Sequence, residues 1–248
     1  NDNTAIAGIV AHADLTLAGN SEELLNEVLD QHEAIAGGLF KGIRHSAARD
    51  KRPEDLFIVS DAPNYLYGKE SFRKGIKVLA SRNLTYDSWH YHHQNLDFLA
   101  LARAVPDCIM ILDHFGTPLG VGIYRSNRDQ IFQQWKEDIA ELAKCENVYA
   151  KLGGLAMPDN GFDWYLGQCP PSSDVLAQHQ EKYYHHTIEC FGAERCMFES
   201  NFPVDRLSIN YHTLWNAFKK MTSDFSESEK HSLFFGTAEK VYSLRADC

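Results

Sequence analysis

Three stretches of the sequence gather side chains able to hold or move a proton. SWHYHHQ, residues 88 to 94, places three histidines within four positions, and its His90-Tyr91-His92 has the spacing that puts two side chains on one face of a strand. ILDHFGTP sets Asp113 and His114 between an apolar run and a Gly-Pro turn, and MFESNFPVD carries Glu199, Asn201 and Asp205. A neutral imidazole can ligate a metal or hold a polarised oxygen, and a carboxylate can take a proton from water; an amide is no base near neutral pH. Two cations join them. Arg44 in GIRH offers a planar guanidinium that grips carboxylates in bidentate fashion, and Lys151 in VYAKLGG needs a partner for its charge wherever it is buried.

Short apolar segments alternate with longer amphipathic ones, the pattern of βα units around a parallel sheet. Strands are expected within 6–15, 40–47, 83–91, 108–116, 147–155 and 196–203, with helical patterns in SEELLNEVLDQHEAIAG, ESFRKGIKVLASR, NLDFLALARAVPD and RDQIFQQWKEDIAELAKC. The polar residues cluster toward the C-terminal ends of these strands, the edge where the active sites of parallel α/β proteins are built. The 248 residues, 44% of them apolar, suit one α/β barrel domain spanning 1–248.

The formal net charge of −10, with no run among the 24 basic residues, argues against nucleic acid and for a small-molecule substrate. Cys108, Cys145, Cys169, Cys190, Cys196 and Cys248 show no C-x-x-C spacing and are expected as free thiols. With no long apolar run and no visible secretory leader, the expected location is cytoplasmic, away from membranes. No Gly-rich phosphate loop, G-x-S-x-G elbow or internal repeat occurs.

GIRHSA, LDHFGTP, NVYAKLGGL, ERCMFESNFPVD and GTAEKVYSL, in this order, resemble the amidohydrolase-related family of metal-dependent hydrolases, in the branch of sugar-lactone and pyrone dicarboxylate lactonases. The resemblance runs over essentially the whole chain. It implies a (β/α)8 TIM-type barrel, of which this chain supplies about six of the eight units, strands three to eight. The family's strand-one H-x-H pair would then lie upstream of Asn1, and the open seam would need a second copy or a partner chain over it. The resemblance makes His114 the histidine that faces the substrate and a metal ligand, Arg44 the grip on a substrate acid, and His92 a residue of the site mouth. It implies zinc or manganese, held weakly or not at all by this chain alone.

One departure matters most. The family's strand-eight aspartate, ligand and base, is replaced by Asn201, so Glu199 or Asp205 would have to stand in. Lys151 is expected to pair with Glu199 or to polarise the substrate, and Arg44 to bind the substrate acid, Asp87, or both. Asp113 is expected to point away from the site. If Thr85, Asp87 and Trp89 face inward, Trp89 becomes a substrate contact and His90 faces the helices. Phe162, Trp164 and Tyr165 are lid candidates, with plain packing as the alternative. The expected activity is hydrolysis of a small, carboxylated cyclic ester by activated water. A nonoxidative decarboxylase on the same scaffold and a noncatalytic binding or assembly subunit are the alternatives.

Overall fold

A computed structural model describes residues 6–244. Cys248 lies outside them. Six parallel strands, β1 (Ile9–Ala11), β2 (Phe40–Arg44), β3 (Thr85–Ser88), β4 (Met110–Leu112), β5 (Val148–Leu152) and β6 (Cys196–Phe198), form one sheet in sequential order. This is a parallel half-barrel, consistent with part of a TIM barrel. Among the described residues β1 and β6 do not pair with each other.

Helices α1 (Glu22–Ala36), α2 (Glu70–Ser81), α3 (Asn95–Ala104), α4 (Arg128–Leu142), α5 (Ser173–Phe191) and α6 (Tyr211–Met221) connect or follow the strands, and α7 (Glu227–His231) and α8 (Thr237–Val241) close the described chain. Their ends carry local signals. Ser21 caps α1 by accepting from the Glu23 N–H, the left-handed Gly37 ends it, and Ser226 and Glu229 form a capping box on α7.

Strand alternation sorts the sheet into two faces. Ile43, Tyr86, Met110, Leu112, Val148, Ala150, Leu152 and Cys196 belong to the main core, which they share with apolar residues of the helices. The opposite face carries Gly42 and Arg44 in register with Thr85 and Asp87, then Ile111, Tyr149, Lys151 and Met197. Val241 and Tyr242, from the end of the described chain, pack against Ile111, Tyr149 and Met197 on this inner face. No helix among the described residues is long and apolar enough to cross a membrane.

Candidate active site

The inner face is charged toward the C-terminal ends of the strands. Asp87 is fully buried and accepts three hydrogen bonds: from Thr85 Oγ1 at 3.0 Å on one oxygen, and from Lys151 Nζ at 2.5 Å and Tyr242 Oη at 2.6 Å on the other. Lys151 also lies 3.4 Å from one oxygen of Asp113, whose second oxygen pairs with the Arg44 guanidinium. The result is a ladder of alternating sign, Asp87, Lys151, Asp113, Arg44. Burial alone would strip the Lys151 proton, but Asp113 and Asp87 outweigh it and hold the ammonium well above its ordinary pKa. Burial raises Asp113, against the pull of Arg44 and Lys151.

Beside the ladder, His114 Nδ1 lies 2.5 Å from Glu199 Oε1. Strand alternation would turn His114 away from this face, since Ile111 and Asp113 already share it. The chain breaks that alternation with a run of left-handed residues, His114 (φ 53°), Phe115 (59°), Gly116 (63°) and Thr117 (41°). Such conformations cost about 1–3 kcal/mol each outside glycine and persist only when their surroundings fix them. Here Trp135 Nε1 donates to the Phe115 carbonyl at 2.7 Å, Trp89 Nε1 to Thr117 Oγ1 at 3.2 Å, and the Leu119 N–H to His92 Nδ1 at 3.2 Å.

The Gly-Gly after Lys151 has a matching purpose. A Cβ on Gly153 would stand 2.2 Å from the Glu199 carbonyl oxygen, and one on Gly154, itself at φ +83°, 2.6 Å from His114 Nδ1. Both glycines make room for the pair.

Burial favours neutral forms of His114 and Glu199, yet their mutual attraction prevails. The Glu199 carboxylate is held down at about 2 by the His114 charge, and His114 is raised above its ordinary value by Glu199. A carboxylate so placed is a poor proton acceptor but a strong orienting group for an imidazole.

Asn201, also left-handed (φ 51°), donates from Nδ2 to Asp205 Oδ1 at 2.8 Å, and the Ala156 N–H donates to Asp205 Oδ2 at 3.3 Å. Asp205 is completely buried, which pushes its pKa up to about 7 despite these bonds. It fixes the Asn201 amide, whose oxygen remains as its acceptor.

Several expectations change. Asp113 points into the site, because it lies two residues beyond the inward Ile111. Arg44 pairs with Asp113 rather than Asp87, although Arg44 and Asp87 are register partners, and Lys151 pairs with Asp87 and Asp113 rather than Glu199. Trp89 and His92 each spend a polar atom on the Thr117–Leu119 loop and so brace the left-handed turn; burial takes His92 down to about 4, an imidazole that stays neutral. His90 faces the helices, between Tyr67 Oη at 2.9 Å and Asn95 Oδ1 at 3.1 Å. Phe162 and Trp164 stack on each other and pack against the core. Asp87, Asp113 and Tyr242 are the members of the cluster that the sequence did not single out as site residues; for Asp87 the signal was its two-residue spacing from Thr85.

An open cleft of about 490 Å³ adjoins the cluster at the ends of β1 and β2, lined among others by His12, Arg44, His45, Ser46, Ser60 and Asp61. The half-buried Arg44 thus joins the cleft to the ladder. Among the described residues no three His, Cys, Asp or Glu side chains converge as a metal site. His114 and Glu199 already spend their facing atoms on each other, and Asp87 and Asp113 are neutralised by Lys151 and Arg44. Among the described residues this donor set does not by itself complete a divalent-cation site.

The sequence profile of the amidohydrolase family matches residues 12–244. This chain belongs to that family. It is 35% identical over 240 residues to the uncharacterized protein y4mH of Sinorhizobium fredii, covering 95% of this chain and 69% of that one. It is 28% identical over 244 residues to an L-fucono-1,5-lactonase of Burkholderia multivorans, covering 98% of this chain and 73% of the lactonase. A crystal structure of an amidohydrolase from Burkholderia multivorans with bound zinc superposes with a TM-score of 0.76 at 24% identity, over 96% of this chain and 74% of that one. Over that span the two chains share one fold.

Proposed function

We propose that this protein hydrolyses a small carboxylated lactone, using His114 as the proton acceptor. The observation that carries this reading is the His114–Glu199 pair at the C-terminal edge of the sheet. With Nδ1 held against Glu199 as an ion pair, the imidazole has Nε2 left to accept a proton. Water attacks the lactone carbonyl carbon as its proton passes to Nε2, giving a tetrahedral oxyanion. The ring C–O bond then breaks, and the imidazolium returns the proton to the departing alkoxide, leaving a hydroxy acid and the starting enzyme. Arg44 holds a substrate carboxylate at the cleft while Asp113 shares its charge.

Asn201 orients the attacking water through its amide oxygen, Asp205 having fixed the amide. The similarity to an L-fucono-1,5-lactonase of Burkholderia multivorans supports hydrolysis of a lactone ring. The test is to follow acid release from a panel of carboxylated and uncharged lactones. The reading predicts turnover of carboxylated ones that depends on His114.

A further inference from the structure

We infer that Tyr242, beyond the last described helix, is a positioning residue that keeps Arg44 free to bind an anion by competing with Lys151 for Asp87. This rests on the proposed role of Arg44 as the grip on a substrate carboxylate. Tyr242 Oη and Lys151 Nζ donate to the same oxygen of Asp87, at 2.6 and 2.5 Å, and the ammonium lies 5.2 Å from the Tyr242 ring centroid. The other Asp87 oxygen is taken by Thr85. Lys151 is therefore divided between Asp87 and Asp113, and Asp113 between Lys151 and Arg44.

Electrostatics gives the sign of the coupling. With the Tyr242 hydroxyl in place, part of the Asp87 charge is satisfied by a neutral donor, and Lys151 is left to share its charge with Asp113. An Asp113 so shared binds Arg44 less tightly, and the guanidinium keeps donors for a ligand in the cleft. Without the hydroxyl, Asp87 draws Lys151 to itself, Asp113 falls back on Arg44 alone, and the cleft loses affinity for anions. The end of the described chain thereby reaches the cleft through three buried charges.

The experiment measures succinate binding by calorimetry at pH 7 to the wild-type chain and to Tyr242→Phe, Thr85→Val and Arg44→Gln. Tyr242→Phe keeps the ring against Lys151 and removes only the hydroxyl. Succinate should bind about five-fold more weakly to it, a smaller change than the roughly tenfold or more expected when a charge-assisted hydrogen bond is removed outright, as in Arg44→Gln. Thr85→Val also removes a neutral donor from Asp87, but on the oxygen that Lys151 does not use, so it should weaken succinate binding less than Tyr242→Phe does. Matching thermal midpoints would show that folding is not the cause. Wild-type affinity in Tyr242→Phe, with binding lost in Arg44→Gln, overturns this inference alone. Equal weakening in Tyr242→Phe and Thr85→Val overturns it as general loosening. Undiminished binding in Arg44→Gln, or none in the wild type, removes the Arg44 grip and the inference with it.

Discussion

The Nδ1 of His114 lies 2.5 Å from Glu199 Oε1, across the gap between the loop after β4 and the end of β6. Each residue fixes the other's protonation state. Glu199 raises His114 above its ordinary value, against the burial that would lower it. Activity is therefore predicted to rise with pH through an apparent pKa above the ordinary histidine value of 6.5. Glu199→Gln leaves burial as the main influence, so the limb should move to lower pH while the rate at neutral pH falls by about 10², the low end for general-base catalysis. A pH profile of kcat/KM for both proteins checks this. An unmoved limb would assign the base to another group.

Arg44 predicts a charge-specific effect. Arg44→Gln should raise KM for a carboxylated lactone about tenfold or more, since a hydrogen bond to a charged group is worth about 1.5–3 kcal/mol. An uncharged lactone of the same ring should show little change. Equal losses on both substrates would place Arg44 in scaffolding rather than recognition.

Asp205 predicts a pH dependence of stability. Its folded pKa is raised from 3.8 to about 7 by burial, so the folded state binds its proton more tightly than the unfolded chain does. Its contribution is fully present below the unfolded value and is lost as pH rises through about 7. Urea midpoints should carry this falling component between those limits, and Asp205→Asn should remove it. Asn201→Asp would put two acids where an amide now donates at 2.8 Å, so it should destabilise the protein at neutral pH. A midpoint unchanged by that substitution would mean that Asn201 and Asp205 do not meet.

Gly154 predicts a steric effect on His114. Gly154→Ala combines a positive φ with a Cβ 2.6 Å from the imidazole, and should cost about 1–3 kcal/mol of stability. Catalysis should fall further than stability accounts for, because His114 is the atom group displaced. Thermal melts beside kcat measurements separate the two losses.

Much of the scaffold was legible in the residues. Each strand lies inside its expected segment, because apolar runs bounded by turn residues recur at βα spacing. His114, Arg44, Lys151, Glu199, Asn201 and Asp205 stand at one edge for the same reason. What the sequence hid was partner choice. Parity places Asp113 inward with Ile111, but the left-handed turn at His114 brings the next residue inward as well, and no pattern of residue types announces that turn. The separation of 155 positions between Asp87 and Tyr242 likewise leaves no local signal of their hydrogen bond.

Hydrolysis through His114 is checked by incubating the purified chain and its His114→Gln variant with a carboxylated lactone and measuring hydroxy acid and carbon dioxide together. The wild type should release ring-opened acid and no carbon dioxide, and His114→Gln should lose about 10² to 10⁴ in rate. Carbon dioxide as the product, or acid released equally fast by both proteins, would contradict it.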